Sequence, residues 1–189
     1  MYLQRLFRRV VIEMELIPKW YGIVIVILYS LFLAEFVLAI NQLSLPDNTD
    51  EVFIILSKVN YVITILSGIV VWIVSAFIFH LAALLFDGKA SFGKFLHTSS
   101  FPYAVPTIAF LFGLFFLDSI QISATEEIIP LLQQDITFNR ILLGISLSFI
   151  LYYLILIFII SSLYKIKIIY ATFSIIIPSV SIWLISRLF

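Results

Sequence analysis

The sequence predicts an all-α fold: a polytopic membrane protein, built as a five-transmembrane-helix bundle with short amphipathic interfacial helices. Three observations carry this. First, five apolar runs (20–40, 61–86, 101–117, 141–163 and 168–188) are separated by short polar gaps. A hydrocarbon core about 30 Å thick takes roughly 20 residues of helix. Lipid offers the backbone no hydrogen bonds, so each run is expected to be helical. Second, 63% of the 189 residues are hydrophobic and only 12% are charged. A soluble domain carries about 25% charged residues, so too little polar surface remains to cover a water-facing globule. Third, the basic residues sort by gap. Arg5, Arg8, Arg9, Lys19, Lys89, Lys94, Lys165 and Lys167 collect on one side of the predicted topology, and Lys58, Arg140 and Arg187 on the other. The positive-inside rule then places the N-terminus in the cytoplasm and the C-terminus outside.

The elements follow in chain order. Residues 1–19 form a basic amphipathic N-terminal segment, and 20–189 the membrane domain. Leu3, Leu6, Val10, Ile12 and Leu16 alternate with Arg5, Arg8 and Arg9, which suits a helix lying among headgroups. A plain topogenic tail is the competing reading. Pro18 ends this helix before Trp20 and Tyr21, residues suited to the interface. The first run is too long for the apolar region of a signal peptide, so it is expected to remain as a span. Pro46-Asp-Asn-Thr-Asp reads as a turn, and Glu51 opens a short helix before the second span. Gly88 is suited to a positive-φ helix end. Ser91 can cap a short interfacial helix, with Lys94 and His97 toward water. The 123–132 stretch reads as an amphipathic surface helix interrupted by Pro130. A very short turn at Lys165-Ile-Lys167 makes the last two spans a tight hairpin. The fourth span, almost pure Ile, Leu and Phe with Tyr152 and Tyr153 midway, is expected to meet much lipid. The third (Pro102, Pro106, Gly113) and fifth (Ser174, Pro178, Ser179, Ser181) are expected at the bundle centre, beside Ser67, Gly68 and Ser75.

Polar chemistry is sparse. There is no cysteine, hence no disulfide, thiolate or Cys-ligated metal. The charged residues show no metal-ligand spacing and no hydrolase or phosphate-loop motif, so no catalytic, cofactor-binding or metal residues are expected. A net charge of zero and the lack of an Arg-rich stretch argue against nucleic acid. Glu35 and His80 are the candidate intramembrane polar residues. Ionisable groups inside a span are functional candidates by default. The competing readings are a Glu35 carboxylate bonded to another helix and a His80 bonded to a backbone carbonyl. The two are expected near opposite leaflets, too far apart to pair.

His80-Leu-Ala-Ala-Leu-Leu-Phe, then Asp87-Gly-Lys-Ala-Ser-Phe, Phe95-Leu and Tyr103-Ala-Val-Pro106 resemble the Yip (Ypt-interacting protein) domain family. Pro102 stands where that family usually has glycine. Five spans and a tight final hairpin also fit. In eukaryotes the family engages prenylated Rab-type GTPases through a long cytoplasmic N-terminal domain. Only a short segment precedes Trp20 here, so that role is not carried over. The resemblance implies the short forms of bacteria and archaea, in a prokaryotic plasma membrane. Some of these accompany ABC exporters or act in defence against membrane-active peptides. The expected function is non-catalytic: binding of a partner or of lipid at the cytoplasmic face, through Arg8, Arg9, Lys89, Lys94, Lys165 and Lys167. The expected partners are the bilayer, and a membrane-protein partner such as an exporter subunit or a second copy. The alternative is a small transporter or exporter accessory, with Glu35, His80, Pro106 and Pro178 lining a path.

Overall fold

A computed structural model describes residues 2–43, 51–117 and 135–188. The expected turn at 46–50 and the amphipathic stretch at 123–132 lie outside the described residues. The helices are α1 (Tyr2–Leu16), α2 (Lys19–Leu43), α3 (Glu51–Leu84), α4 (Phe92–Thr98), a 3-10 turn (Phe101–Tyr103), α5 (Ala104–Leu117), α6 (Ile136–Tyr164) and α7 (Ile168–Leu188). Among the described residues five stretches are long and apolar enough to cross a membrane: Lys19–Gln42, Ile54–Leu84, Phe92–Leu117, Ile136–Tyr164 and Ile168–Arg187. The chain is a polytopic all-α membrane protein.

Some boundaries differ from those read in the sequence. The helix expected to open at Glu51 is not separate from the second span: α3 runs unbroken for 34 residues, about 51 Å. Helix α6 starts at Ile136, earlier than the apolar run, because the Asp135 carboxylate accepts the Phe138 N–H at 2.7 Å and so serves as N-cap. The third crossing is broken. Helix α5 has 14 residues, about 21 Å, too short for a core of about 30 Å. Helix α4 and the 3-10 turn supply the rest. Pro102 and Pro106 sit where the break leaves their missing N–H groups least costly. The Thr107 hydroxyl donates to the Tyr103 carbonyl at 2.6 Å.

Helix α2 packs on α3 and α5, α6 on α5 and α7, and α7 back on α3, which closes a ring of five. Helix α4 touches α1, α2, α3 and α6 and fills the ring at one end. One side of it, at Gly93 and Lys94, is exposed, and the other is buried in the bundle. Phe95 and Thr98 are fully buried, and Ser91, although at the N-cap position, makes no capping bond with its side chain. The placement of the spans also differs. The third is the most buried, as expected, but the fifth is the least. Only Ala171, Ser174 and Ile175 of α7 are buried, and residues 180–187 are exposed on every side. The fourth span, expected to meet much lipid, is exposed along Leu143, Leu147, Ile150, Leu151 and Leu154, and it also packs tightly through Tyr152, Leu156, Ile159, Ile160 and Tyr164. Ser67 is exposed and Ser75 half-buried, so only Gly68 holds the expected contact, where a Cβ would fall on Ser30 of α2.

Lipid tails are as apolar as leucine, so close packing rather than water exclusion holds such a ring together. Between α2, α5 and α6 the packing is aromatic. Tyr103 meets Tyr29 and Tyr152 edge-on, both at 4.8 Å between ring centres, and Phe36 meets Phe110 at 5.4 Å. Edge-to-face contacts of this kind are favourable beyond their area.

Candidate anion-binding groove

The end of the bundle that holds α4 is also the basic end. Its geometry begins with how α3 stops. The Gly88 N–H donates to the Ala83 carbonyl at 3.2 Å and the Asp87 N–H to the Leu84 carbonyl at 3.1 Å, the paired bonds of a Schellman helix end. The left-handed residue this needs is Asp87, at φ 60°; Gly88 does not have positive φ, contrary to the expectation. Glycine is required at 88 for space instead. A Cβ there would lie 2.7 Å from the Ala83 carbonyl oxygen and 2.7 Å from the Tyr164 ring. The next residue, Lys89, donates its N–H to the Tyr164 carbonyl at 3.3 Å.

Helix α6 ends in a second left-handed residue, Lys165, at φ 59°. The Ser161 hydroxyl donates to the Ile166 carbonyl at 2.8 Å and closes the turn into α7. Two residues with side chains thus hold conformations that usually select glycine. Strain of this kind collects at functional sites.

Helix α1 completes the groove. It packs on α6 and α4, with Val11 buried and Phe7 stacked on Phe158 at 4.2 Å. It is therefore a packed helix rather than a loose basic tail. His97 holds its end. The expectation placed His97 toward water, but the ring is buried, and Nε2 lies 3.1 Å from the carbonyls of both Met14 and Ile17. Carbonyls only accept, so Nε2 carries the proton, and His97 caps the terminal carbonyls of α1. His97→Phe removes that donor, at about 1–3 kcal/mol, chiefly for the Ile17 carbonyl, since the Met14 carbonyl also accepts the Ile17 N–H at 3.3 Å. Trypsin cleavage after Arg8 or Arg9 is expected to quicken on the order of tenfold as α1 opens more often; an unchanged rate would show that the cap does not hold the helix.

Between α1, the α3–α4 connection and the end of α6 lies a groove of about 430 Å³. Arg8, Lys89, Lys94 and Lys165 line it, with the Ser91 and Ser162 hydroxyls and one carboxylate, Glu15. Lys94 Nζ donates to Glu15 Oε2 at 3.0 Å, the only ion pair among the described residues. Four of the six basic residues singled out from the sequence therefore converge. Arg9 and Lys167 are exposed outside the groove. Glu15, Ser162 and Tyr164 were not singled out; a Ser-Ser-Leu-Tyr close to an otherwise apolar run was the available signal.

The intramembrane residues do not form a site together. Glu35 Oε1 accepts the Tyr61 hydroxyl at 2.8 Å, which ties α2 to α3 at an exposed surface. His80 Nδ1 meets the Tyr164 hydroxyl at 2.5 Å, where a backbone carbonyl had been expected. Tyr61 and His80 stand 19 residues apart on α3, about 28 Å, so the expected separation of Glu35 and His80 holds. Pro106 lies on α5, which packs on α2 and α6, whereas Pro178 lies on α7, which packs on α3 and α6.

Comparison with protein-family models, with curated proteins and with solved structures finds no match for this chain.

Proposed function

We propose that this is a Yip-type integral membrane protein that works without catalysis, by holding anionic lipid headgroups in the basic groove on the cytoplasmic face. The observation that carries this reading is the convergence of Arg8, Lys89, Lys94 and Lys165 on one groove with a single opposing carboxylate. Cations and hydroxyls around a concave site at headgroup depth suit phosphate. Two helices end on strained, left-handed residues at its rim, and one of these, Lys165, supplies a cation. The family assignment draws support from where the resembling residues lie. His80, Gly88 and Phe95 meet around Tyr164 in one joint, and Tyr103 and Pro106 follow at the start of the next span. The transport reading gains nothing comparable, because Glu35 and His80 lie far apart and neither lines the groove.

Each cation near a headgroup contributes about 1 kcal/mol, so Lys89→Gln with Lys165→Gln is expected to weaken phosphatidylglycerol binding by about 2 kcal/mol, roughly thirtyfold. Both side chains are exposed, so folding is spared. Lipid titration in detergent, read by native mass spectrometry, measures this. Wild-type affinity should fall with added salt. Equal affinity in wild type and double variant, or no preference over phosphatidylcholine, removes the proposal.

A further inference from the structure

A second groove lies near the opposite ends of α5 and α6, independent of the basic one. It has a volume of about 610 Å³ and is lined by Ala109, Phe112, Gly113 and Phe116 of α5 and by Thr137, Arg140, Ile141, Gly144 and Ile145 of α6. That size falls within the usual range for ligand sites, about 300–1,000 Å³. We propose that it holds an acyl chain of a membrane phospholipid whose anionic headgroup is bound by Arg140.

Four observations lead there. First, the groove opens sideways. Phe112 and Phe116 are each more than half exposed, and the flanking Ile108, Phe115, Leu143 and Leu147 are exposed apolar residues, so the surrounding solvent is lipid. Second, its polarity is graded along the chain direction of a lipid. Thr137 and Arg140 lie near the start of α6, and Gly144 and Ile145 lie deeper, with Ala109 facing them from α5. The span from Thr137 to Ile145 is about 12 Å, the length of part of an acyl chain. Third, the charge is single and of one sign. Arg140 is exposed and makes no ion pair among the described residues. A long cationic side chain near a helix end reaches the headgroup layer, and its planar fork suits phosphate.

Fourth, the two glycines behave differently. Gly113 allows close helix approach, since a Cβ there would lie 3.0 Å from Phe36 and 3.1 Å from Ile141. Gly144 serves no such contact among the described residues, where a Cβ meets nothing within 4 Å. Glycine inside a helix is destabilising relative to alanine. Among the described residues no packing accounts for the missing side chain at 144, and its absence widens the groove.

The test uses the full chain reconstituted in phosphatidylcholine nanodiscs. These are doped with phosphatidylglycerol, or in a parallel sample phosphatidylcholine, carrying a photoactivatable group on its acyl chain. Adducts are mapped by mass spectrometry. Labelling is expected to concentrate on residues 109–116 and 137–145, with the anionic probe ahead of the zwitterionic one by about fivefold, the worth of one cation at a headgroup. Gly144→Leu fills the groove without a backbone clash. It should abolish that concentration while labelling of the lipid-facing Val70 and Val74 surface of α3 is unchanged. Arg140→Gln should leave the labelled positions alone and erase the preference for the anionic probe. Labelling spread evenly over α3, α5 and α6, or a wild type that treats both probes alike, overturns the proposal. So does a pattern that Gly144→Leu does not change. Lys89→Gln with Lys165→Gln leaves this readout untouched, so failure here and failure at the basic groove are distinguishable.

Discussion

Tyr164→Ala is expected to lower stability by about 2–3 kcal/mol and to loosen the whole basic end. Tyr164 is 1% exposed. Its ring meets Phe95 edge-on at 5.5 Å, its hydroxyl reaches His80, and its carbonyl accepts from Lys89. One residue thus joins α3, α4 and α6. The magnitude follows from packing. Transfer from water contributes little when the alternative surroundings are lipid. The cavity remains, at about 24 cal/mol per Å³ over on the order of 100 Å³. Tyr164→Phe keeps the volume and loses only the bond to His80, about 0.6 kcal/mol for an interhelical bond in a membrane. Unfolding in mixed detergent micelles should therefore separate the two variants clearly. Similar losses for both would mean that the hydroxyl, not the ring, holds the joint.

Gly88→Ala is expected to cost about 1–3 kcal/mol, as overpacking does, and Gly93→Ala to cost nothing or to stabilise by about 0.5–1 kcal/mol. The two glycines stand five residues apart in the same polar segment. At Gly88 one colliding atom is a main-chain carbonyl oxygen, which cannot swing away, and the other belongs to the Tyr164 ring. At Gly93 a Cβ meets nothing within 4 Å, so only the conformational freedom of the unfolded chain changes. Thermal unfolding of the two variants checks this. A neutral Gly88→Ala would show that α3 and α6 can part at this joint without loss, and the basic groove would then lack a fixed wall.

The first span shows how far reading residues went. The apolar run at 20–40 was legible as the core of α2 (Lys19–Leu43) because an unbroken apolar run allows one solution in lipid. The start of α6 was not, since Asp135 reads equally well as loop or cap until its carboxylate is seen on the Phe138 N–H. From sequence alone His97 belongs in water, because basic side chains near Gly and Lys usually are solvated. Only the placement of α1 across α4 gives its ring two carbonyls to satisfy. In the candidate site, charge alone picked out Arg8, Lys89, Lys94 and Lys165. Charge could not tell them from Arg9 and Lys167, which differ only in the direction they face.

Hydrophobic length and the distribution of lysine and arginine determined that this chain lives in a bilayer, how many times it crosses, and which ends are basic. These are local properties, and the insolubility of a bare peptide group in lipid enforces them. Tertiary structure alone decided which helices are neighbours, that α4 fills the ring, and that α7 stays at the edge. When every helix surface and the lipid are equally apolar, side-chain type no longer marks inside from outside. The choice then falls to shape: a missing Cβ at Gly68 and Gly88, and rings meeting edge-on around Tyr103 and Tyr164.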